Sequence, residues 1–174
     1  MLAWLVAACG APAVTGAPAA TVGPDGIGAA APAIVGQALD GSAFDLSAER
    51  GHPVVVNFWA SWCTPCRDEF PVLEQARATH AADGLVVVGV LYRDQPAPAR
   101  AFVSDFGADW PTVTDADGAI AKAYRVAAPP QTYFIDAGGV LRGLQIGEMT
   151  ADDFALGYAR IAPGGPSPSP SASP

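Results

Sequence analysis

Positive charge is scarce in this chain: 9 Lys and Arg stand against 17 Asp and Glu, for a net charge of −8. A nucleic-acid surface needs a basic face to neutralise phosphates, so that class is excluded, as is a polybasic membrane-surface protein. Cysteine is scarce too. Three cysteines cannot staple a disulfide-dense miniprotein or fill a four-cysteine zinc site. No run of 18 apolar residues exists, so the sequence offers no full membrane span. Charged residues make up only 15% of the 174, and a chain of that length suits one domain.

Glycine (19) and proline (17) are plentiful and crowd towards the two ends. Residues 1–9, Met1-Leu-Ala-Trp-Leu-Val-Ala-Ala-Cys9, are apolar throughout. They are similar to the hydrophobic part of a secretory signal whose basic beginning is missing, as in a sequence begun downstream of its true start. Val6-Ala7-Ala8-Cys9-Gly10 also resembles a bacterial lipobox, which makes Cys9 a candidate for lipidation. Residues 10–31 are almost wholly Ala, Gly, Pro, Thr and Val, the composition of a flexible tether. Residues 163–174 alternate proline with small residues, which forbids helix and favours a solvated tail. The folded domain is expected over 32–162.

Within it, Ile34–Leu39, Asp40-Gly41 and Phe44–Leu46 read as a β-hairpin, because Asp-Gly tolerates the positive φ of a tight turn. Val54–Ala60 and Leu85–Tyr92 are continuous apolar runs, the pattern of strands buried on both faces. Pro65 opens a helix running to about Ala81. Further helices are expected over Ala97–Phe106, Ala119–Tyr124 and from Thr150 to about Ile161, with a second hairpin at Thr132–Ile146. The order implies an α/β domain: a mixed central sheet flanked by helices, with an N-terminal β-hairpin.

Cys63-Thr-Pro-Cys66 joins the first buried strand to the first long helix. A bridge between residues three apart closes a tiny loop and stabilises little, so its use is to be made and broken. The unpaired N–H groups and dipole at a helix start favour a thiolate on Cys63. Cys66, a turn inside, is placed as the resolving thiol that attacks a mixed disulfide. Zinc would need two more ligands, and only His52 and His80 are offered, both expected at exposed element ends. A c-type haem site wants histidine where Arg67 stands. Ala60 occupies the place where a thiol peroxidase has Thr or Ser three residues before its cysteine.

Asn57-Phe-Trp-Ala-Ser-Trp-Cys-Thr-Pro-Cys-Arg-Asp-Glu-Phe-Pro71 resembles the active-site segment of the TlpA, ResA and CcmG (DsbE) branch of the thioredoxin superfamily. Val126–Asp136 is similar to that branch's cis-proline segment, and Tyr92–Pro111 resembles the central insertion of its CcmG-like members. The resemblance implies a thioredoxin-like fold and an extracytoplasmic thiol–disulfide oxidoreductase. It implies no cofactor and no metal. Its substrates would be protein thiols and disulfides, apocytochrome c among them. It implies a membrane redox partner, a lipid anchor at Cys9 and a monomer. By the same resemblance Cys63 attacks and Cys66 resolves, Trp62 shields the pair, and Pro130 is the cis-proline packed against it. Asn57 stands where many thioredoxins have a buried aspartate, so Glu69, one turn after Cys66, becomes the candidate proton acceptor. Asp68, two residues after Cys66, is expected to point away. Pro129 and Ala128 depart from the family pattern, Pro129 by lacking the N–H that would pair with a substrate strand. Oxidation of secreted thiols runs the same chemistry in the opposite direction. Copper delivery is the binding-module alternative, although that function wants Cys-x-x-x-Cys and a distant histidine.

Overall fold

The computed structural model describes residues 26–164. The lipobox segment with Cys9, the tether up to residue 25 and the tail from 165 lie outside the described residues.

A hairpin opens the fold: β1 (Val35–Gln37) pairs antiparallel with β2 (Ala43–Asp45). Its turn holds Gly41 at φ 89°, and the Asp40 carboxylate accepts from the Ser42 backbone N–H at 2.9 Å. There follow β3 (Val54–Trp59), α1 (Thr64–Thr79), β4 (Val86–Tyr92), α2 (Pro96–Phe106), β5 (Thr112–Asp115), α3 (Ala119–Ala123), β6 (Gln131–Ile135), β7 (Leu141–Ile146) and α4 (Ala151–Tyr158). The main sheet runs β5-β4-β3-β6-β7. The strands β3, β4 and β5 are parallel, while β6 and β7 are antiparallel additions.

Strand β3 lies at the centre, and all six of its residues are buried. Its side chains alternate between two cores. Val55 and Trp59 join the layer under α1, α2 and α4, with Phe70, Leu73, Phe102 and Phe154. Val54, Val56 and Phe58 join the opposite layer, with Ile34, Tyr124 and Tyr133. Burial on both faces is why this strand reads as an unbroken apolar run. Asn57 shares the parity of Val55 and Trp59, so its amide is directed under α1.

Three features differ from the sequence expectation. β5 was not anticipated. It is a four-residue edge strand of Thr-Val-Thr-Asp after a proline, too short and polar for a periodicity signal. Residues 28–31, assigned to the tether, pair with the start of β7: Gly28 N donates to Leu141 O (2.8 Å) and Leu141 N to Ala29 O (2.9 Å). His80 is half-buried rather than exposed, its ring 3.8 Å from that of Tyr158 and its Nδ1 3.0 Å from Asp83. Both sheet edges are covered, β7 by residues 28–31 and β5 by the hairpin, where Leu39 N donates to Thr112 O at 2.8 Å. Among the described residues no helix is long and apolar enough to cross a membrane.

Candidate active site

The parallel order of β3 and β4 carries both chains towards the same edge, and α1 begins there. Cys63 is the N-cap of α1, in extended conformation (φ −87°, ψ 107°), with proline in the first turn. Its sulfur accepts from the Cys66 backbone N–H at 3.2 Å and is bonded to Cys66 Sγ. A helix N–H aimed at a sulfur, together with the helix dipole, stabilises a thiolate at that atom. Cys63 is 4% exposed and Cys66 wholly buried, so only the first sulfur borders solvent.

Glu69 follows Cys66 by three residues, one helical turn, and is fully buried. Its Oε1 accepts from Asn57 Nδ2 at 2.7 Å and its Oε2 from the Met149 backbone N–H at 3.1 Å. Burial pushes its carboxyl up to about 7, with the nearby Glu148 charge acting in the same direction and the two hydrogen bonds opposing. Asp68 is exposed. Asn57 Nδ2 also donates to Thr132 Oγ1 at 2.9 Å, across the β3–β6 pair, while Asn57 Oδ1 is buried without a partner. The Asn57 amide thus ties α1, β3 and β6 together beneath the cysteines.

The Pro129–Pro130 peptide is cis. Pro130 is buried, and its carbonyl accepts from Gly147 N at 3.0 Å. Pro129 is half-buried and Ala128 exposed. Trp62, expected as a shield, is 58% exposed beside Cys63. Ile146, which pairs with Gln131 next to Pro130, is 68% exposed, so two large apolar side chains rim the same edge. Sequence reasoning missed Ile146, Thr132, the Met149 amide and Asp94, whose Oδ2 accepts from Ser61 N at 2.6 Å and anchors the loop before Cys63. Asp94 and Ser61 carry no local signal, because their pairing exists only once β3 and β4 lie side by side.

The AhpC/TSA family matches residues 27–144 of the chain. The thiol-disulfide oxidoreductase ResA of Geobacillus kaustophilus is 31% identical over 137 residues, which span 79% of each chain. The thiol:disulfide interchange protein DsbE of Pseudomonas fluorescens biotype C is 36% identical over 117 residues, 64% of each. Among solved structures, a secreted Mycobacterium tuberculosis disulfide oxidoreductase homologous to Escherichia coli DsbE superposes with a TM-score of 0.65 at 29% identity, covering 72% of this chain and 94% of that one. A fold match over most of both chains, identity at this level and a bonded Cys63–Cys66 pair at the start of α1 converge: the chain belongs to the AhpC/TSA family of thioredoxin-like proteins and is a thiol–disulfide oxidoreductase.

Proposed function

We propose that Cys63 is the attacking thiol, Cys66 the resolving thiol and Glu69 the group that takes the resolving proton, in an enzyme that works outside the cytoplasm on protein disulfides. The observation that carries this reading is the buried Glu69 carboxyl one turn from a buried Cys66, with Cys63 at the helix cap. The Cys63 thiolate attacks one sulfur of a substrate disulfide. A mixed disulfide forms, and the other substrate sulfur leaves as a thiolate. Cys66 then gives its proton to Glu69, and its thiolate attacks Cys63 Sγ. The Cys63–Cys66 bond closes and the second substrate sulfur departs, so the substrate gains two electrons and the enzyme loses two. A carboxyl titrating near 7 can accept and return that proton at neutral pH. Pro130 and the apolar rim of Trp62 and Ile146 supply the face on which substrate lies, with Ala128 and Pro129 beside it.

The secretion of the mycobacterial relative supports an extracytoplasmic site of action, and the lipobox resemblance at Cys9 supports a membrane tether. The ResA and DsbE relatives support thiol–disulfide exchange, and the resemblance of residues 57–71 to the TlpA, ResA and CcmG active-site segment supports the narrower reading: a reductant of protein disulfides, apocytochrome c as its substrate and a membrane redox partner as its electron source. Trapping tests the roles. Cys66→Ser should hold a covalent complex with the substrate protein on a non-reducing gel, and Cys63→Ser should not. Equal trapping by both variants overturns the assignment. The reduction potential tests the direction: a value about −270 mV fits a reductant, and one about −120 mV an oxidant.

A further inference from the structure

Beside the cysteine loop lies a groove of about 580 Å³ with Tyr92, Arg93, Asp117, Lys122, Arg125 and Ala127 among its lining residues. It gathers three of the nine cationic side chains in a chain of net charge −8. All three are exposed. Asp117 is the one carboxylate in the lining, and its Oδ1 already accepts from Ala119 N at 3.1 Å. The groove is therefore a positive exception on an acidic molecule.

Its position ties it to the redox site. Arg93 is followed by Asp94, whose carboxylate holds Ser61 N, two residues before Cys63. Ala127 on the other wall stands three residues before the cis-proline Pro130. The two walls are joined by a hydrogen bond from Tyr92 Oη to Ala127 O at 2.9 Å, and the Arg93 guanidinium lies 5.3 Å over the Tyr92 ring. Arg93 (φ 47°) and Arg125 (φ 58°) are also the non-glycine residues with positive φ among the described residues. That region disfavours long side chains, and glycine or asparagine is its usual occupant. Both arginines of the groove occupy it nonetheless.

We propose that this groove docks an acidic stretch of the substrate polypeptide next to the cysteine presented to Cys63. The inference rests on the thiol-exchange reading above and names its substrate class. The net negative charge of the rest of the molecule repels such a stretch, so the groove orients it as well as attracts it.

Two peptides with the same central disulfide test this, one flanked by Asp and Glu, the other by Ser and Asn. At low ionic strength, kcat/KM for the acidic peptide should exceed that for the neutral one by about ten-fold. The ratio should collapse near 1 M salt, where the screening length is about 3 Å. The double variant Arg93→Gln/Lys122→Gln should bring the ratio within about two-fold. Arg160→Gln, an exposed cation outside the groove lining, removes one charge and should keep the ratio, whereas Arg93→Gln or Lys122→Gln alone, each matched to it in charge, should lower it. Equal turnover of both peptides by the unsubstituted protein, or a ratio that survives the double variant, overturns the proposal. A cysteine-free acidic peptide, followed by fluorescence anisotropy, separates docking from chemistry. Groove-dependent binding without any exchange supports the groove and overturns the thiol-exchange reading; exchange without binding does the reverse. Phosphatidylglycerol vesicles that bind through Arg93 and Lys122 while peptide turnover shows no preference also overturn it, in favour of a membrane contact.

Discussion

Between pH 4.5 and about 7, the Glu69 carboxyl holds its proton in the folded protein and loses it in the unfolded chain. Folding is therefore favoured by this group below pH 4.5, and the contribution is lost as pH rises through 7. At 1.36 kcal/mol per pH unit the loss is about 3 kcal/mol. Glu69→Gln should abolish this part of the pH dependence and leave the oxidised protein more stable than the parent above pH 8, read by urea titration. The introduced amide would donate where the carboxylate accepts, and Asn57 can turn its partnerless Oδ1 to receive it. The same change should slow exchange by about ten-fold or more, since a positioned acid–base group contributes about 10²–10⁴-fold. Asp68→Asn, exposed on the same helix, should alter neither. If both variants lose rate equally, Glu69 is not the acceptor. The motif itself was legible because its parts are adjacent in sequence: Cys63, Cys66 and Glu69 share one turn and a half of helix. What holds Glu69 was not. Thr132 lies 75 residues from Asn57, and Met149 lies 80 residues from Glu69, so only the assembled sheet brings them together.

The elements were readable wherever their apolar pattern was long, as in β3, β4 and α1. Pro65 marked the start of α1 to within one residue, and Pro71 sits inside that helix without ending it. The register between α4 and the sheet was invisible to pattern, because it depends on an absent side chain. A Cβ at Gly157 would stand 2.3 Å from Phe134 Cζ, with two more ring atoms within 2.6 Å. Phe134 is 1% exposed and packs edge-on against Phe154, so its ring has little room to retreat. Alanine improves intrinsic helix propensity by about 1 kcal/mol over glycine. Overpacking a filled core costs about 1–3 kcal/mol. The difference is about 0–2 kcal/mol, and three ring atoms within 2.6 Å put this site at the upper end of it: Gly157→Ala is expected to destabilise the protein by about 1–2 kcal/mol in urea denaturation. Because α4 follows directly on Met149, whose N–H bonds Glu69, the displaced helix should also shift the pH profile of exchange. An unchanged or raised midpoint would mean that α4 moves freely on the sheet.

At the scale of the molecule, the charge balance bears on how a tether could work. A net charge of −8 gives anionic lipid headgroups nothing to attract broadly, so the overall charge of the molecule does not hold it on a membrane. A lipid anchor at Cys9 would need more than one acyl chain, because a single chain of myristoyl length binds only marginally, at about 10⁴ M⁻¹. Among the described residues, pairing onto the sheet begins at Gly28, 19 residues after Cys9. Anchoring and catalysis should therefore separate cleanly. Exported behind a functional signal in a bacterial host that processes lipoproteins, the chain should sediment with membranes, resist a high-salt wash and be released by detergent. Cys9→Ser should move it to the soluble fraction while exchange with a soluble disulfide peptide keeps the parental rate. Mass spectrometry of the N-terminal peptide should find lipid on Cys9 of the parent. An unmodified Cys9, or a Cys9→Ser protein that still sediments, would show that this segment is not the anchor. Release by salt alone would instead point to a contact made through the basic groove, whose charge runs against that of the whole.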